Sequence, residues 1–267
     1  MRKKVIALAM IAAMVVSLTA CGGKNNDKQG KDSTESLKVA YQSGIAYAPI
    51  LVMKDQKLIE KNYDGNVDID WQLLSGGAAI SEGLTSNTVD VGAIGTGVAI
   101  TGAKAGAPYK IFAGMSSQPY RISTNKEEIK TLKDITKEDQ IAITGINSQP
   151  HIVLAMAAKA YLGDAHALDA NLVAQPNADG YTSLVSGAVQ CHMIMSPYCF
   201  MEQNKEGIHQ IEVDESVWPV GDTTIVGVAT EKLKEERPKL YEAVCKAMDE
   251  AIEFINDNPE KTADILK

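Results

Sequence analysis

Arginine is nearly missing from this chain, which has it only as Arg2, Arg121 and Arg237. A planar guanidinium fork that grips a carboxylate or phosphate is therefore not evident in any strand-end loop. Cysteine is also sparse: Cys21, Cys191, Cys199 and Cys245 form no CxxC and no Cys/His cluster of zinc spacing, so no metal site is expected. No nucleophile elbow, phosphate loop or metalloprotease signature occurs, so no catalytic residue and no cofactor is assigned. Basic residues are outnumbered, and the formal net charge is −8. An acidic body argues against nucleic acid and against a basic membrane-surface role. Beyond residue 20 no stretch of eighteen uninterrupted apolar residues appears, so no spanning helix is expected there.

The N-terminus carries the strongest local signal. Arg2, Lys3 and Lys4 precede an uncharged apolar stretch, Val5 to Thr19, and Leu18-Thr19-Ala20-Cys21 then matches a lipobox. Basic residues, a short apolar core and a small-residue cleavage site read as a signal peptide over residues 1–20. Cys21 would become the lipidated first residue of the mature chain. Residues 21–36, polar and without hydrophobic period, read as the lipidated cysteine and a flexible tether. One acyl chain holds weakly and two or more hold firmly, so a multiply acylated Cys21 would keep the protein on the extracytoplasmic face of the membrane or in a periplasm. The three remaining cysteines cannot all pair; free, buried thiols are expected, with Cys191–Cys199 left open.

The body alternates strands and helices. Leu37–Tyr41, Val67–Leu73, Val89–Ile94 and Lys110–Ala113 read as strands, with helices at Pro49–Lys57 and Ala78–Thr85. The pattern restarts with strands at Gln140–Thr144, Asn171–Ala174, Cys191–Met195 and Gln210–Val213, and helices at Pro150–Tyr161 and Asp179–Ser186. Thr224–Ala229 adds a strand, and Pro238 starts a helix with Leu240, Val244, Met248, Ile252 and Ile255 on one face. Such alternation indicates an α/β fold with mostly parallel sheets.

A weak internal repeat supports two similar lobes. Val39-Ala40-Tyr41 matches Ile141-Ala142-Ile143; Gly77-Ala78 matches Asn177-Ala178; Val89-Asp90-Val91 matches Val189-Gln190-Cys191. The expected first lobe is residues 37–117 plus 222–267, and the second is residues 118–221. Chain crossings near Ser116–Tyr120 and Val217–Asp222 would form the hinge, with Trp218 packing at the second.

Four stretches carry a family resemblance: Tyr47-Ala48-Pro49, Ser75-Gly76-Gly77-Ala78, Asp90 to Gly97 (DVGAIGTG), and Thr144 to His151 (TGINSQPH). Ser196-Pro197-Tyr198 fits as well. The chain resembles the substrate-binding proteins for sulfonates, nitrate, taurine and thiamine-pyrimidine precursors. That resemblance implies a type II periplasmic-binding-protein-like fold of two lobes, each a mostly parallel sheet flanked by helices. It also implies a monomer that is not an enzyme, that hands a small-molecule ligand to the permease subunits of an ABC importer, and that uses no cofactor. The expected ligand is a small organic or inorganic anion; a thiamine-pyrimidine precursor or aromatic acid, a sensing role, and an enzyme on the same fold are the alternatives. One departure is Gln190, which stands where the second lobe of such proteins often has an acidic residue like Asp90.

In open α/β sheets ligands lie beyond the carboxyl ends of strands, where unpaired N–H groups of helix starts favour negative charge. Gly76, Gly77, Gly95, Thr96, Gly97, Asn147, Ser148 and His151 all fall there. Tyr47 and Tyr198 are the aromatic candidates, and Asp179 stands in a later helix start. Each has a plainer role open to it: tight turns for the glycines, a helix-start hydrogen bond for His151, lobe packing for the tyrosines, a helix cap for Asp179.

Overall fold

Leu37, Val39 and Ala40 are fully buried along the first strand, and their pattern is that of a strand covered on both faces. The computed structural model describes residues 34–213, 217 and 223–267. The strands are β1 (Glu35–Tyr41), β2 (Val67–Leu73), β3 (Val91–Gly95), β4 (Tyr109–Ser116), β5 (Arg121–Thr124), β6 (Ile141–Ile143), β7 (Leu172–Ala174), β8 (Cys191–Ile194), β9 (His209–Gln210) and β10 (Ile225–Thr230). The helices are α1 (Ala48–Asp55), α2 (Leu58–Asn62), α3 (Gly77–Thr85), α4 (Thr96–Lys104), α5 (Gln149–Leu162), α6 (Asn177–Ser186), α7 (Tyr198–Gln203), α8 (Glu231–Glu236), α9 (Pro238–Asp257) and α10 (Pro259–Ile265). None of the described helices is long and apolar enough to cross a membrane.

The strands form two five-stranded sheets, ordered β2-β1-β3-β10-β4 and β7-β6-β8-β5-β9. The two orders correspond position by position, and each sheet has one reversed strand. In the first it is β10, antiparallel to β3 and β4; in the second it is β5, antiparallel to β8 and β9. The other pairs, β1 with β2 and β3, and β6 with β7 and β8, are parallel. The fold is thus two-lobed and α/β, with sheets that are mostly parallel in strand direction. The first sheet packs Val39 with Ile50 and Met53 of α1 and Val244 and Met248 of α9; the second packs Ile122 and Met193 with Leu154 of α5.

Equivalent positions of the repeat perform equivalent work. Before β3, an Asp90 carboxylate oxygen accepts from the Lys38 N–H at 2.9 Å, while its other oxygen pairs with Arg237. Before β8, the Gln190 side-chain oxygen accepts from the Gln140 N–H at 2.9 Å. An amide oxygen serves the backbone donor as a carboxylate would, and no arginine needs neutralising there; this accounts for Gln190 in place of an acid.

Some boundaries differ from the sequence pattern. β3 starts at Val91, because Asp90 is engaged by its side chain. β4 runs longer than expected, to Ser116, since β10 covers it over almost its whole length. The strand expected at Gln210–Val213 is only His209–Gln210; Ile211 instead donates a single hydrogen bond to Ile122. The first crossing is the short link between β4 and β5. The second, with Trp218, lies outside the described residues apart from Val217, as do Cys21 and residues 1–20, where a signal peptide is expected. Cys191 and Cys199 are free, buried thiols, and Cys245 is free and half-buried.

Asp139 anchors the loop before β6. Its side chain is 1 % exposed, and it pairs with Lys126 at 2.6 Å while accepting from the Thr136 N–H and hydroxyl. Burial pushes its pKa up, but Lys126 and the two Thr136 donors outweigh that and leave it below the usual carboxylate value. A depressed pKa adds stability that is complete above the unfolded value, near pH 4, and is lost as pH falls through the native one. Urea midpoints measured downward from about pH 6 should therefore fall in that acid window. Asp139→Asn should lower the neutral-pH midpoint and flatten the acid limb; an acid limb unchanged in the variant would assign the effect to other groups.

Candidate ligand-binding site

The carboxyl ends of both sheets face one cleft of about 1180 Å³. Its walls come from helix starts on each side. From the first sheet, Gly76, Gly77, Ala78 and Ala79 present the opening of α3; from the second, Pro176, Asn177 and Ala178 present that of α6, and Ser148, Gln149 and Pro150 that of α5. No side chain caps α3 or α6. Their first-turn N–H groups therefore need partners from outside the helix. By contrast, α5 is capped by the Ser148 hydroxyl, which accepts from the His151 N–H.

Among the described residues lining the cleft there is no lysine or arginine, and the one charged side chain is the exposed Glu82. Attraction for an anion thus comes from helix termini and neutral donors. Tyr47 is 2 % exposed in the wall; burial pushes its phenol far above the usual range, against a hydrogen bond with Gln42. Beside it Tyr120, also 2 % exposed, is pushed up by burial and secondarily by Tyr47. Both are neutral phenols at physiological pH, and the Tyr120 hydroxyl has no hydrogen-bond partner. The Gln175 and Asn177 side-chain oxygens are buried without partners too. Tyr198 faces the cleft with its ring tilted against Tyr181 at 6.0 Å.

The structure brings Tyr47, Gly76, Gly77, Gly95, Ser148 and Tyr198 together in this cleft. It places the other five candidates elsewhere. Thr96 donates its N–H to the Thr224 carbonyl and its hydroxyl to the Thr223 carbonyl, so it ties α4 to the chain before β10. Gly97 donates its N–H to the Gln149 side chain at 2.7 Å. Asn147 takes a left-handed conformation, φ 61°, and donates its N–H to His151 Nδ1; it is exposed. His151 turns its other nitrogen to Asp169 at 3.4 Å, away from the cleft. Asp179 is exposed in the first turn of α6 and caps nothing, because the chain enters that helix at Pro176. Tyr120, Gln149 and Gln175 were not singled out by sequence. Tyr120 had a signal in its position at the first crossing, and Gln149 in the TGINSQPH stretch.

The two lobes, their matched sheet orders and the cleft between strand ends define a periplasmic-binding-type fold. Residues 30–267 match the model of the NMT1-like family, and the chain belongs to that family. Among solved structures it is similar to the periplasmic aliphatic sulphonate binding protein SsuA from Escherichia coli, at 21 % identity and TM-score 0.66 over 88 % of this chain and 78 % of that one. The alkanesulfonate-binding protein SsuA from Xanthomonas axonopodis pv. citri, bound to MOPS, is 17 % identical with TM-score 0.67 over 86 % and 78 %. The periplasmic nitrate-binding protein NrtA from Synechocystis PCC 6803 is 17 % identical with TM-score 0.68 over 88 % and 66 %. No curated protein sequence matches the chain.

Proposed function

We propose that the chain is an extracytoplasmic solute-binding lipoprotein, anchored through Cys21, that delivers a small organic anion of the sulfonate type to the permease of an ABC importer. The observation that carries this reading is the facing pair of uncapped helix starts, α3 and α6, in a cleft with no lysine or arginine among its described lining residues. The solved structures of the same fold that bind sulfonate and nitrate support the class of ligand.

Size and energy favour an organic anion over nitrate or another inorganic ion. Two helix termini contribute roughly 0.6–4 kcal/mol to a bound charge. Micromolar affinity needs about 8 kcal/mol. An organic body that buries about 150–200 Å² of apolar surface adds ~4–5 kcal/mol at ~25 cal/mol per Å². The cleft offers that surface through Tyr47, Leu51, Leu74, Met195 and Tyr198. Nitrate has no apolar body and would leave most of the 1180 Å³ to water.

A second reading rests on the unpartnered oxygens of Tyr120, Gln175 and Asn177. They suit a ring that carries hydrogen-bonding nitrogens, such as a pyrimidine precursor, or an aromatic acid stacked by Tyr198. A thermal-shift panel of alkanesulfonates, nitrate, aromatic carboxylates and aminopyrimidines separates the two. A ligand at 100 times its Kd adds about 2.7 kcal/mol, a rise of about 5–11 °C for a domain of this size. Alkanesulfonates are expected to give it. A rise with aminopyrimidines alone would replace the first reading by the second, and no rise with any of these compounds would contradict both.

A further inference from the structure

Gln149 opens α5 on the second sheet's side, yet its side chain ends on the first sheet's side, at the start of α4. Its Oε1 accepts from the Gly97 N–H at 2.7 Å, across the cleft wall. The site is shaped for it. A Cβ on Gly95 would lie 2.5 Å from the Gln149 Cβ and 2.7 Å from its Oε1; one on Gly97 would lie 2.9 Å from Oε1 and 3.0 Å from Ile152 Cδ1. Ile152, one turn along α5, packs on the cluster that contains Ile80, Val98 and Ile94 of the other lobe. Residues 95 and 97 are glycine because a neighbour from the opposite lobe fills the space a side chain would need.

We infer that Gln149 is an interlobe latch and a specificity determinant: its amide oxygen occupies the start of α4, holds the lobes together and excludes an anionic ligand group from that terminus. Both atoms of the hydrogen bond belong to the chain, so closure through it needs nothing from a ligand. The first N–H of α4, that of Thr96, is taken by Thr224, and the second, that of Gly97, by Gln149. An anionic head group is left with α3 and α6. This last consequence rests on the proposed ligand site; the latch itself does not.

The test uses no ligand. Protein stripped by unfolding and refolding is measured by small-angle scattering as wild type, Q149L, Q149E and G97A, with a thermal melt of each. Wild type should show a radius of gyration near the ~18 Å of a compact chain of this length. Leucine fills the same volume without an acceptor, and the Gly97→Ala methyl wedges the contact from the other side. Both should raise the open-to-closed ratio about fivefold, read as a larger radius, with the melting temperature of a folded protein. Glutamate keeps an acceptor at the positive end of α4 and should stay compact. A Q149L protein as compact as wild type, or a Q149E protein as expanded as Q149L, would overturn the latch.

Discussion

Glu202→Ala should lower the melting temperature by about 6–12 °C, from a loss of about 3 kcal/mol in a domain of this size. Glu202 and His192 form a pair at 2.6 Å, with side chains 0 % and 1 % exposed. The pair joins α7 to β8 beneath the cleft. The remaining polar atoms, His192 Nε2 and Glu202 Oε2, have no hydrogen-bond partner, and Gly180 of α6 closes over the imidazole where a Cβ would come within 2.5 Å of Nε2. Removing the carboxylate strands an imidazole that cannot reach water, and the cost of an orphaned buried polar group exceeds that of the lost bond. Glu202→Gln keeps an oxygen for Nδ1 and should lose less than half as much. Urea unfolding and thermal melts measure both. A loss below about 1 kcal/mol for the alanine variant would mean that water or a neighbour replaces Glu202, and that the pair is not a main support of α7. Tyr198 leads α7 into the cleft, so the same variant should also weaken ligand binding.

The largest effect on binding is expected at Gly77. Gly77→Pro should weaken an alkanesulfonate about tenfold to a hundredfold, the range for a lost hydrogen bond to a charged group at about 1.5–3 kcal/mol. Proline suits a first helical position, where its missing N–H costs the helix nothing. Gly76 is already extended, φ −177° and ψ 166°, which is the conformation that precedes a proline. The space around Gly77 is ordinary, with Gln42, Val98 and Ile94 no closer than 3.7 Å to a Cβ. The variant therefore deletes one donor and leaves the fold. Gly77→Ala keeps the N–H and should bind within a few-fold of wild type. Calorimetric titration of both variants decides the matter: equal affinities would remove the start of α3 from the ligand site.

Much of this architecture is legible in the sequence, because strands buried on both faces are short apolar runs and helices between them carry periodic faces. The helix from Pro238 spans Pro238–Asp257 and buries Leu240, Val244 and Met248 as its spacing implies. The matched pairs Gly77-Ala78 and Asn177-Ala178 stand on opposite walls of one cleft. β5 is not legible: four residues long and reversed, it pairs only with β8 and β9, far along the chain, and the Ser116-Ser117-Gln118-Pro119 turn before it does not say which strand follows. Side-chain direction at helix starts is equally hidden. Ser148 and His151 lie three residues apart, yet one lines the cleft and the other turns to Asp169. Thr96 and Gly97 sit at a strand end as a ligand site requires, but their donors are taken by Thr224 and by Gln149 from the other lobe. Such partners are set by tertiary approach, which local pattern does not encode.

In the proposed binding mode an organic anion sits with its charged group between the starts of α3 and α6. The most direct measurement is a crystal structure of the protein with the alkanesulfonate that gives the largest thermal shift. Sulfonate oxygens are expected at about 3 Å from the N–H groups of Gly77 and Ala178, with the alkyl body along Tyr47 and Tyr198. A sulfonate held instead by surface lysines, or a cleft occupied with the charged group turned away from both helix starts, would contradict it.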